Sequence, residues 1–152
     1  MDELDRRIIT LLEQDGRITH EDIGKQLHIS RPTVHQRVAK LEREGILRGY
    51  RAIVDWSSTG ERVKALIFVK LKCSDYQSAM KRIVSLRLPG VTLQDCHRLA
   101  GEWCIMLRVR VCDPRDITIL IDEMVKDDAV VETSTTFILD TLMEDGLVQP
   151  TL

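Results

Sequence analysis

Residues 19–49 read THEDIGKQLHISRPTVHQRVAKLEREGILRG, and this stretch predicts two short helices joined by a tight turn. Thr19 followed by Asp22 resembles a capping box, which would start a first helix at this point. Ser30 is placed to cap a second helix, and Pro32 falls in its first turn, where a missing backbone donor costs little. The stretch therefore predicts a helix-turn-helix.

The second of these helices separates apolar from polar residues. Val34, Val38 and Leu41 recur at spacings of four and three, which puts them on one buried stripe. Amide and cationic side chains lie opposite, and such groups contact base edges and phosphates in DNA. The candidate DNA contacts are Ser30, Arg31, Pro32, Thr33, His35, Gln36, Lys40 and Arg43, followed by Arg48 and Arg51. A solvated face on an ordinary helical hairpin is the alternative.

Local charge favours the DNA interpretation. Residues 17–51 contain eight Lys or Arg (positions 17, 25, 31, 37, 40, 43, 48 and 51) and four acids (21, 22, 42 and 44). The difference is +4, in a chain whose net charge is −2. Positive charge is thus concentrated where contact with a polyanion is expected.

The segments LDRRIITLLEQDGRIT (4–19) and ISRPTVHQRVAKLEREGILRGYRAIVD (29–55) resemble the winged helix-turn-helix of the Lrp/AsnC family, the feast-famine regulators of prokaryotic transcription. The matching positions are Leu4, Asp5, Ile8, Leu12, Gly16, Arg17, Ile18, Ser30, Thr33, Val34, Arg37, Val38, Leu41, Glu42, Gly45 and Ile46. The resemblance implies a regulator that binds double-stranded DNA. It also implies a second, sheet-based domain that dimerises, builds tetramers or octamers, and often senses amino acids.

Composition limits the other classes of protein. The 152 residues are 43% hydrophobic and 30% charged, which is typical of a globular chain with one or two cores. There is no run of eighteen apolar residues, and the amino terminus MDELDRR is unlike a signal peptide. We therefore expect a cytoplasmic, nucleoid-associated protein without a membrane partner.

The cysteines and histidines predict neither a metal site nor an enzyme. Cysteines at positions 73, 96, 104 and 112 lack the spacings of a redox pair or a zinc site, so we expect free thiols. An enzyme with Cys104 or Cys96 as nucleophile near His97 is an alternative. Adjacent residues of a strand point to opposite faces, however, so Cys96 and His97 should diverge. We predict no catalytic residue, no metal and no cofactor other than an amino-acid effector.

Two domains and a hinge are predicted along the chain. Residues 1–54 form the winged helix-turn-helix, with a first helix over 2–14 and a strand-like wing over 46–54. The polar run DWSSTGER, 55–62, is the candidate hinge. Residues 63–142 form the second domain, and residues 143–152 a C-terminal tail.

The second domain shows the order βαββαβ. Strands are predicted over 63–72, 91–100, 103–112 and 130–142, with helices after Asp75 and at Pro114. This order predicts a ferredoxin-like sandwich, and the whole chain is then α+β. Apolar residues also occupy the sheet face that the helices leave uncovered; they are Leu66, Phe68, Met106 and Ile138. Pairing of this face with another copy, giving a homodimer, is the simplest explanation, and scattered surface apolars are the alternative.

The loop HRLAGEWC, 97–104, corresponds to the family loop that lines an amino-acid pocket. Gly101 suits a backbone turn, whereas Cys104 stands where the family often has an acid. The candidate effector residues are Leu99, Ala100, Gly101, Glu102, Trp103, Cys104, Thr133 and Thr135. We therefore predict a sequence-specific transcriptional regulator that responds to an amino acid or another small effector. A DNA-wrapping, architectural protein without such a switch is the alternative.

Overall fold

The computed structural model of the protein describes residues 1–72, 74–144 and 146–148. The chain forms two compact units, Met1–Ile53 and Val54–Leu152. The regular elements of the first unit are all helices, and the second unit is built on a sheet. This confirms the predicted α+β class. Every helix within these residues is too short or too polar to cross a bilayer.

Three helices make up the first unit, namely α1 (Glu3–Gln14), α2 (His20–Leu27) and α3 (Arg31–Arg43). Each begins at a side chain that accepts a hydrogen bond from the backbone N–H three residues later; these caps are Asp2, Thr19 and Ser30. The apolar faces of the helices meet in one core of Ile8, Leu12, Ile23, Leu27, Val34, Val38 and Leu41. The predicted helix-turn-helix and its caps are confirmed.

The turn between α2 and α3 packs closely against Gly24 of α2. A Cβ atom on Gly24 would lie 2.7 Å from the carbonyl oxygen of Ile29, closer than the two atoms can approach. The Ile29 N–H donates to the Gly24 carbonyl at 3.0 Å, and His28 adopts a left-handed φ of 56°. Close packing at this turn sets the spacing of the two helices.

The strand-like wing predicted over residues 46–54 is wrong. Residues 48–55 have irregular backbone. Ile46 and Leu47 instead donate their backbone N–H groups to the Leu41 carbonyl, and Leu47 packs on the helical core. A strand needs a neighbour that takes its backbone hydrogen bonds, and within 1–53 no strand is present to do so. The apolar residues after Gly45 therefore cap α3 rather than forming a hairpin.

The second unit carries a four-stranded antiparallel sheet in the order β2-β3-β1-β4. Its strands are β1 (Val63–Leu71), β2 (Val91–Arg98), β3 (Ile105–Val111) and β4 (Val130–Ile138), and its helices are α4 (Tyr76–Ser85) and α5 (Pro114–Met124). The strands end earlier than predicted, so the β2–β3 loop is longer. Order and connections confirm the ferredoxin-like sandwich.

Alternation along the strands gives the sheet two different faces. Ala65, Ile67 and Val69 are buried with residues of β3, α4 and α5 in the core. Their neighbours form what we call the open face: Lys64, Leu66, Phe68, Lys70, Met106, Arg108, Arg110, Glu132, Ser134, Thr136 and Ile138. The four apolar residues predicted for this face are all there, and each is half-buried. The register shifts between Leu93 and Asp95 in β2.

A short hairpin lies within the predicted C-terminal tail. Its strands are β5 (Met143–Glu144) and β6 (Leu147–Val148), and Gly146 turns between them with a φ of 78°. Glu144 reaches the open face, where it lies 2.6 Å from Lys64 Nζ. Two-residue strands carry no detectable alternation, so the sequence predicted only a tail here. Residues 149–152 lie outside the described part of the chain.

Residues 55–62, predicted as a hinge, belong to the second unit and include a 3₁₀ helix, Trp56–Thr59. Asp55 caps this helix by accepting hydrogen bonds from the Ser57 N–H at 3.0 Å and from the Ser57 and Ser58 hydroxyls. These hydrogen bonds lower the pKa of Asp55. Gly60, with a φ of 100°, follows the helix. The segment is thus locally ordered, and its role as a hinge stays a prediction.

Candidate nucleic-acid interface

Helix α3 presents a polar outer face because its apolar stripe is held in the core. Val34, Val38 and Leu41 are almost completely buried. Nine of the ten candidate DNA contacts are exposed, and Thr33 is half-buried. The Ser30 hydroxyl accepts from the Thr33 N–H at 3.3 Å and lies 2.8 Å from the Thr33 hydroxyl, so these two residues also hold the start of the helix. The structure therefore brings the α3 candidates to one accessible surface.

The cations beyond α3 lie on irregular backbone rather than on a wing. Arg48 and Arg51 are both exposed. Tyr50, between them, is held to α3 because its hydroxyl donates to Glu42 at 3.1 Å. Partial burial and this carboxylate raise the pKa of Tyr50. The two arginines are thus attached to the helical unit through a defined contact at Tyr50.

Sequence reasoning missed His20 as a neighbour of the candidate DNA surface. The His20 and His35 rings lie 5.5 Å apart between their centres, at an interplanar angle of 50°. Both line a cleft of about 240 Å³ together with Glu42 and Tyr50. His20 begins α2 and His35 lies in α3, so no local pattern links them.

Arg37 contributes to the positive charge counted over residues 17–51, but it does not belong to the outer face of α3. One guanidinium nitrogen, Nη1, donates to Asp2 at 2.6 Å and to Asp5 at 2.7 Å. The Asp5 side chain is only 2% exposed. The hydrogen bonds from Arg37 lower the pKa of both carboxyl groups, and the two carboxylates raise the pKa of Arg37. Arg37 therefore joins α3 to the start of α1.

The candidate effector loop is ordered by backbone hydrogen bonds. The Leu99 N–H donates to the Cys104 carbonyl at 2.9 Å, and the Cys104 N–H donates to the Val69 carbonyl at 3.0 Å. Gly101 has a φ of 143°, which confirms the predicted turn conformation. The Cys104 sulfur accepts a hydrogen bond from the Leu71 N–H at 3.3 Å. The thiol is thus turned toward the backbone of β1.

Charged and aromatic side chains of the loop lie on the open face. The Trp103 and Phe68 rings pack at an interplanar angle of 50° with their centres 6.1 Å apart, and Lys70 Nζ lies 5.0 Å from the Trp103 ring centre. Lys70 also donates to Glu102 at 3.2 Å and to Glu132 at 2.9 Å, and these carboxylates raise its pKa. The acidic group of this loop is therefore Glu102, and it already has a cationic partner.

The structure does not bring all the candidate effector residues together. Thr133 and Thr135 pair with Val69 and Ile67, so they lie on the helix-covered side of the sheet, away from Trp103. The Thr135 hydroxyl is buried and has no hydrogen-bond partner among the described residues. Leu99, Ala100, Gly101, Glu102, Trp103 and Cys104 do form one loop. The sequence could not separate the two threonines from residues 99–104, because it does not show the register of β4 in the sheet.

Cys96 and His97, the pair considered for an enzyme, do not lie on one face of the sheet. Cys96 pairs with Leu107 and His97 with Met106, so their side chains point to opposite faces as predicted. Burial raises the pKa of the Cys96 thiol, which disfavours a reactive thiolate. Cys96, Cys104 and Cys112 are free thiols, and Cys73 lies outside the described residues. The described residues contain no cluster of three potential metal ligands among His, Cys, Asp and Glu.

Known families match both units. The AsnC-type helix-turn-helix domain matches residues 1–42, and the Lrp/AsnC ligand binding domain matches residues 64–148. The HTH-type transcriptional regulator LrpC of Bacillus subtilis is 32% identical over 109 residues, which cover 72% of this chain and 73% of LrpC. The HTH-type transcriptional regulator FL11 of Pyrococcus abyssi is 26% identical over 144 residues, which cover 95% of this chain and 93% of FL11.

Solved structures share the fold over nearly the whole chain. The structure of E. coli AsnC has a TM-score of 0.81 at 29% sequence identity and covers 95% of both chains. The complex of the Neisseria meningitidis regulator NMB0573 with L-Met has a TM-score of 0.83 at 22% identity, covering 99% of this chain and 96% of that one. Because the two matched domains together span most of its length, the chain belongs to the Lrp/AsnC family of DNA-binding transcriptional regulators.

Proposed function

We propose that the protein reads a specific duplex DNA sequence through the outer face of α3, in the major groove. The observation that carries this proposal is the exposure of His35, Gln36, Lys40 and Arg43 opposite a fully buried stripe. The amide of Gln36 can pair with an adenine edge in two hydrogen bonds, which is a contact that distinguishes bases. We assign base reading to Gln36 and His35, near the middle of the helix.

The remaining candidates are assigned to the DNA backbone. Arg31 stands at the amino end of α3, where the helix dipole also favours phosphate, and Ser30, Pro32 and Thr33 surround it. Lys40, Arg43, Arg48 and Arg51 supply further positive charge. Phosphate contacts of this kind set the register of the helix on the duplex and make binding salt-dependent.

We infer that two copies pair through their open faces. Leu66, Phe68 and Met106 lie on the sheet face opposite α4 and α5, and a second copy would remove them from water. A two-fold dimer would carry two α3 helices to two half-sites. Higher assemblies, tetramer or octamer, would then be built from such dimers.

An amino-acid effector at residues 99–104 is proposed for the second unit. Lys70 and Glu102 carry the two charges that a zwitterion needs, and they lie 3.2 Å apart beside Trp103. A bound amino acid would exchange their mutual pairing for its own carboxylate and ammonium groups. The matched ligand binding domain and the L-Met complex of NMB0573 support this proposal.

Binding-site selection from random duplexes tests the DNA proposal. Recovery of one consensus with two-fold symmetry is the expected result, since a dimer would read two related half-sites. Uniform binding of all sequences, with DNA shortened by wrapping, would instead support the architectural alternative.

Calorimetry with a panel of amino acids tests the effector proposal. Glu102→Gln should weaken binding about ten- to a hundredfold by removing a charge-assisted hydrogen bond of roughly 1.5 to 3 kcal/mol. Cys104→Asp should not strengthen binding, because the side chain at position 104 is turned toward the backbone of β1. Absence of binding by the wild type, or equal binding by Glu102→Gln, would contradict a site at Lys70 and Glu102.

A further inference from the structure

Arg110 is a buried cation on the side of the sheet that the helices leave uncovered. It is 5% exposed, and the only other buried charged residue in the described chain is Asp5 of the first unit. The neighbouring cations of the open face, Lys64 and Arg108, retain 21% and 28% of their side-chain exposure. Something other than the sandwich helices must therefore cover Arg110.

The cover is the segment that follows the first unit. The Trp56 ring lies over the Arg110 guanidinium, with 3.9 Å between the ring centre and Cζ. Glu61 Oε2 lies 3.6 Å from Arg110 Nε, and the Thr92 hydroxyl on β2 donates to Glu61 Oε1 at 3.1 Å. Both ends of residues 56–61 thus contact the sheet, one through an aromatic face and one through a carboxylate.

A single apolar side chain makes this contact strong. The segment DWSSTGER is otherwise polar, so Trp56 supplies its main apolar surface. Arg110 is a suitable partner because a planar guanidinium stacks on an aromatic ring, which an ammonium does less well. We refer to residues 56–61 held on Arg110 as the linker clasp.

We propose that Trp56 and Arg110 are positioning residues for DNA binding, because the linker clasp shortens the tether of the DNA-binding unit. Tyr50 is held to the first unit through Glu42, so with the clasp closed only residues 51–55 connect the two anchors. When Trp56 is released the next anchor is Glu61, which contacts Arg110 and Thr92, and the connection lengthens to residues 51–60. The tether grows from five residues to ten.

The longer tether lowers the effective concentration of the second α3 once the first has bound. For a flexible chain this concentration falls roughly as the −3/2 power of length, which gives about a threefold decrease from five residues to ten. The inference rests on the proposed dimer with two half-sites. Affinity for one isolated half-site should not change, since it involves only the first unit.

The test uses the full-length protein with Trp56→Ala and the ring-retaining variant Trp56→Phe. Tyr76→Leu is the matched control, because it removes another aromatic ring over an arginine, Arg98, in the same unit but on the helix-covered side. Amide hydrogen exchange over residues 57–60 reports the clasp directly. Binding to duplexes with one and with two selected half-sites reports its consequence.

Trp56→Ala should speed exchange at residues 57–60 and lower the two-site affinity about threefold, with one-site affinity unchanged. It should also tolerate a half-turn change in half-site spacing better than the wild type. Trp56→Phe should keep most of the wild-type exchange protection and two-site affinity, and Tyr76→Leu should change neither quantity. Wild-type two-site affinity in Trp56→Ala, despite fast exchange, would overturn the proposal. Equal wild-type affinity for one-site and two-site DNA would instead contradict the proposed dimer, while slow exchange in Trp56→Ala would still exclude the clasp.

Discussion

The outer face of α3 and the open face of the sheet both carry several cations, but only on the open face do carboxylates pair closely with them. On α3, Arg43 makes no ion pair with described residues, and Lys40 makes only a 4.0 Å contact with Glu44. On the sheet, Lys64, Lys70 and Arg108 each contact a carboxylate within 3.2 Å. The first surface keeps its charge for a polyanion, whereas the second neutralises its charge and exposes apolar residues between the pairs. Net charge alone would not distinguish them.

A charge placed among those apolar residues should have the largest effect. Phe68→Glu would bury an unpaired carboxylate in the proposed dimer, and we expect the dimer dissociation constant to rise by about a hundredfold or more. Sedimentation equilibrium measures this change. Leu139→Glu is the control, because Leu139 is 97% exposed and should tolerate the charge. If Phe68→Glu keeps the wild-type assembly, the open face is not the contact between copies.

Arg37→Met tests the cation of α3 that forms ion pairs within the first unit. It leaves the buried Asp5 carboxylate without its cation, and the melting temperature of the first unit should fall by on the order of 5 to 10 °C. Because Arg37 lowers the folded pKa of Asp5, this stabilisation is fully present above the unfolded pKa of about 4 and is lost as pH falls through the folded value. The stability difference between wild type and variant should therefore be constant from pH 5 to 7 and shrink below pH 4 in urea titrations. A difference independent of pH would contradict the ion-pair explanation.

The outer face itself is tested by Gln36→Ala. If Gln36 reads a base, the variant should lose roughly 1 to 3 kcal/mol on the selected sequence and little on random DNA. Fluorescence anisotropy on both duplexes measures the two losses. Equal losses would assign Gln36 to general contact rather than base reading.

The smallest effect is expected for Lys40→Ala, which should weaken all sequences alike. Removal of one phosphate contact should reduce the salt slope of binding by about 1. Lys25→Ala is the control, since Lys25 is held by Glu21 at 2.7 Å on α2 and lies outside the proposed contact surface. An unchanged slope for Lys40→Ala would show that this lysine does not reach the DNA backbone.

Local signals account for what could be predicted from the sequence. Ser30 as a cap, Pro32 in the first turn and the alternation of β1 each act within a few residues, so the elements and their order followed from them. The partners of Arg37 lie more than thirty residues away, and no periodicity reports them. Thr133 and Trp103 were expected in one site, but they lie on opposite sides of the sheet. The side that Thr133 faces depends on the register of β4, which a sequence pattern does not define.

The register shift in β2 bears on solution behaviour. As an outer strand of the sheet, β2 offers backbone groups that an extended chain could join, which is how strand-by-strand aggregation begins. The shift between Leu93 and Asp95 puts those groups out of step, so an incoming strand cannot match them continuously. The open face of the sheet stays available to a second copy while the β2 border resists strand addition. Concentrated samples should accordingly not form fibres through β2.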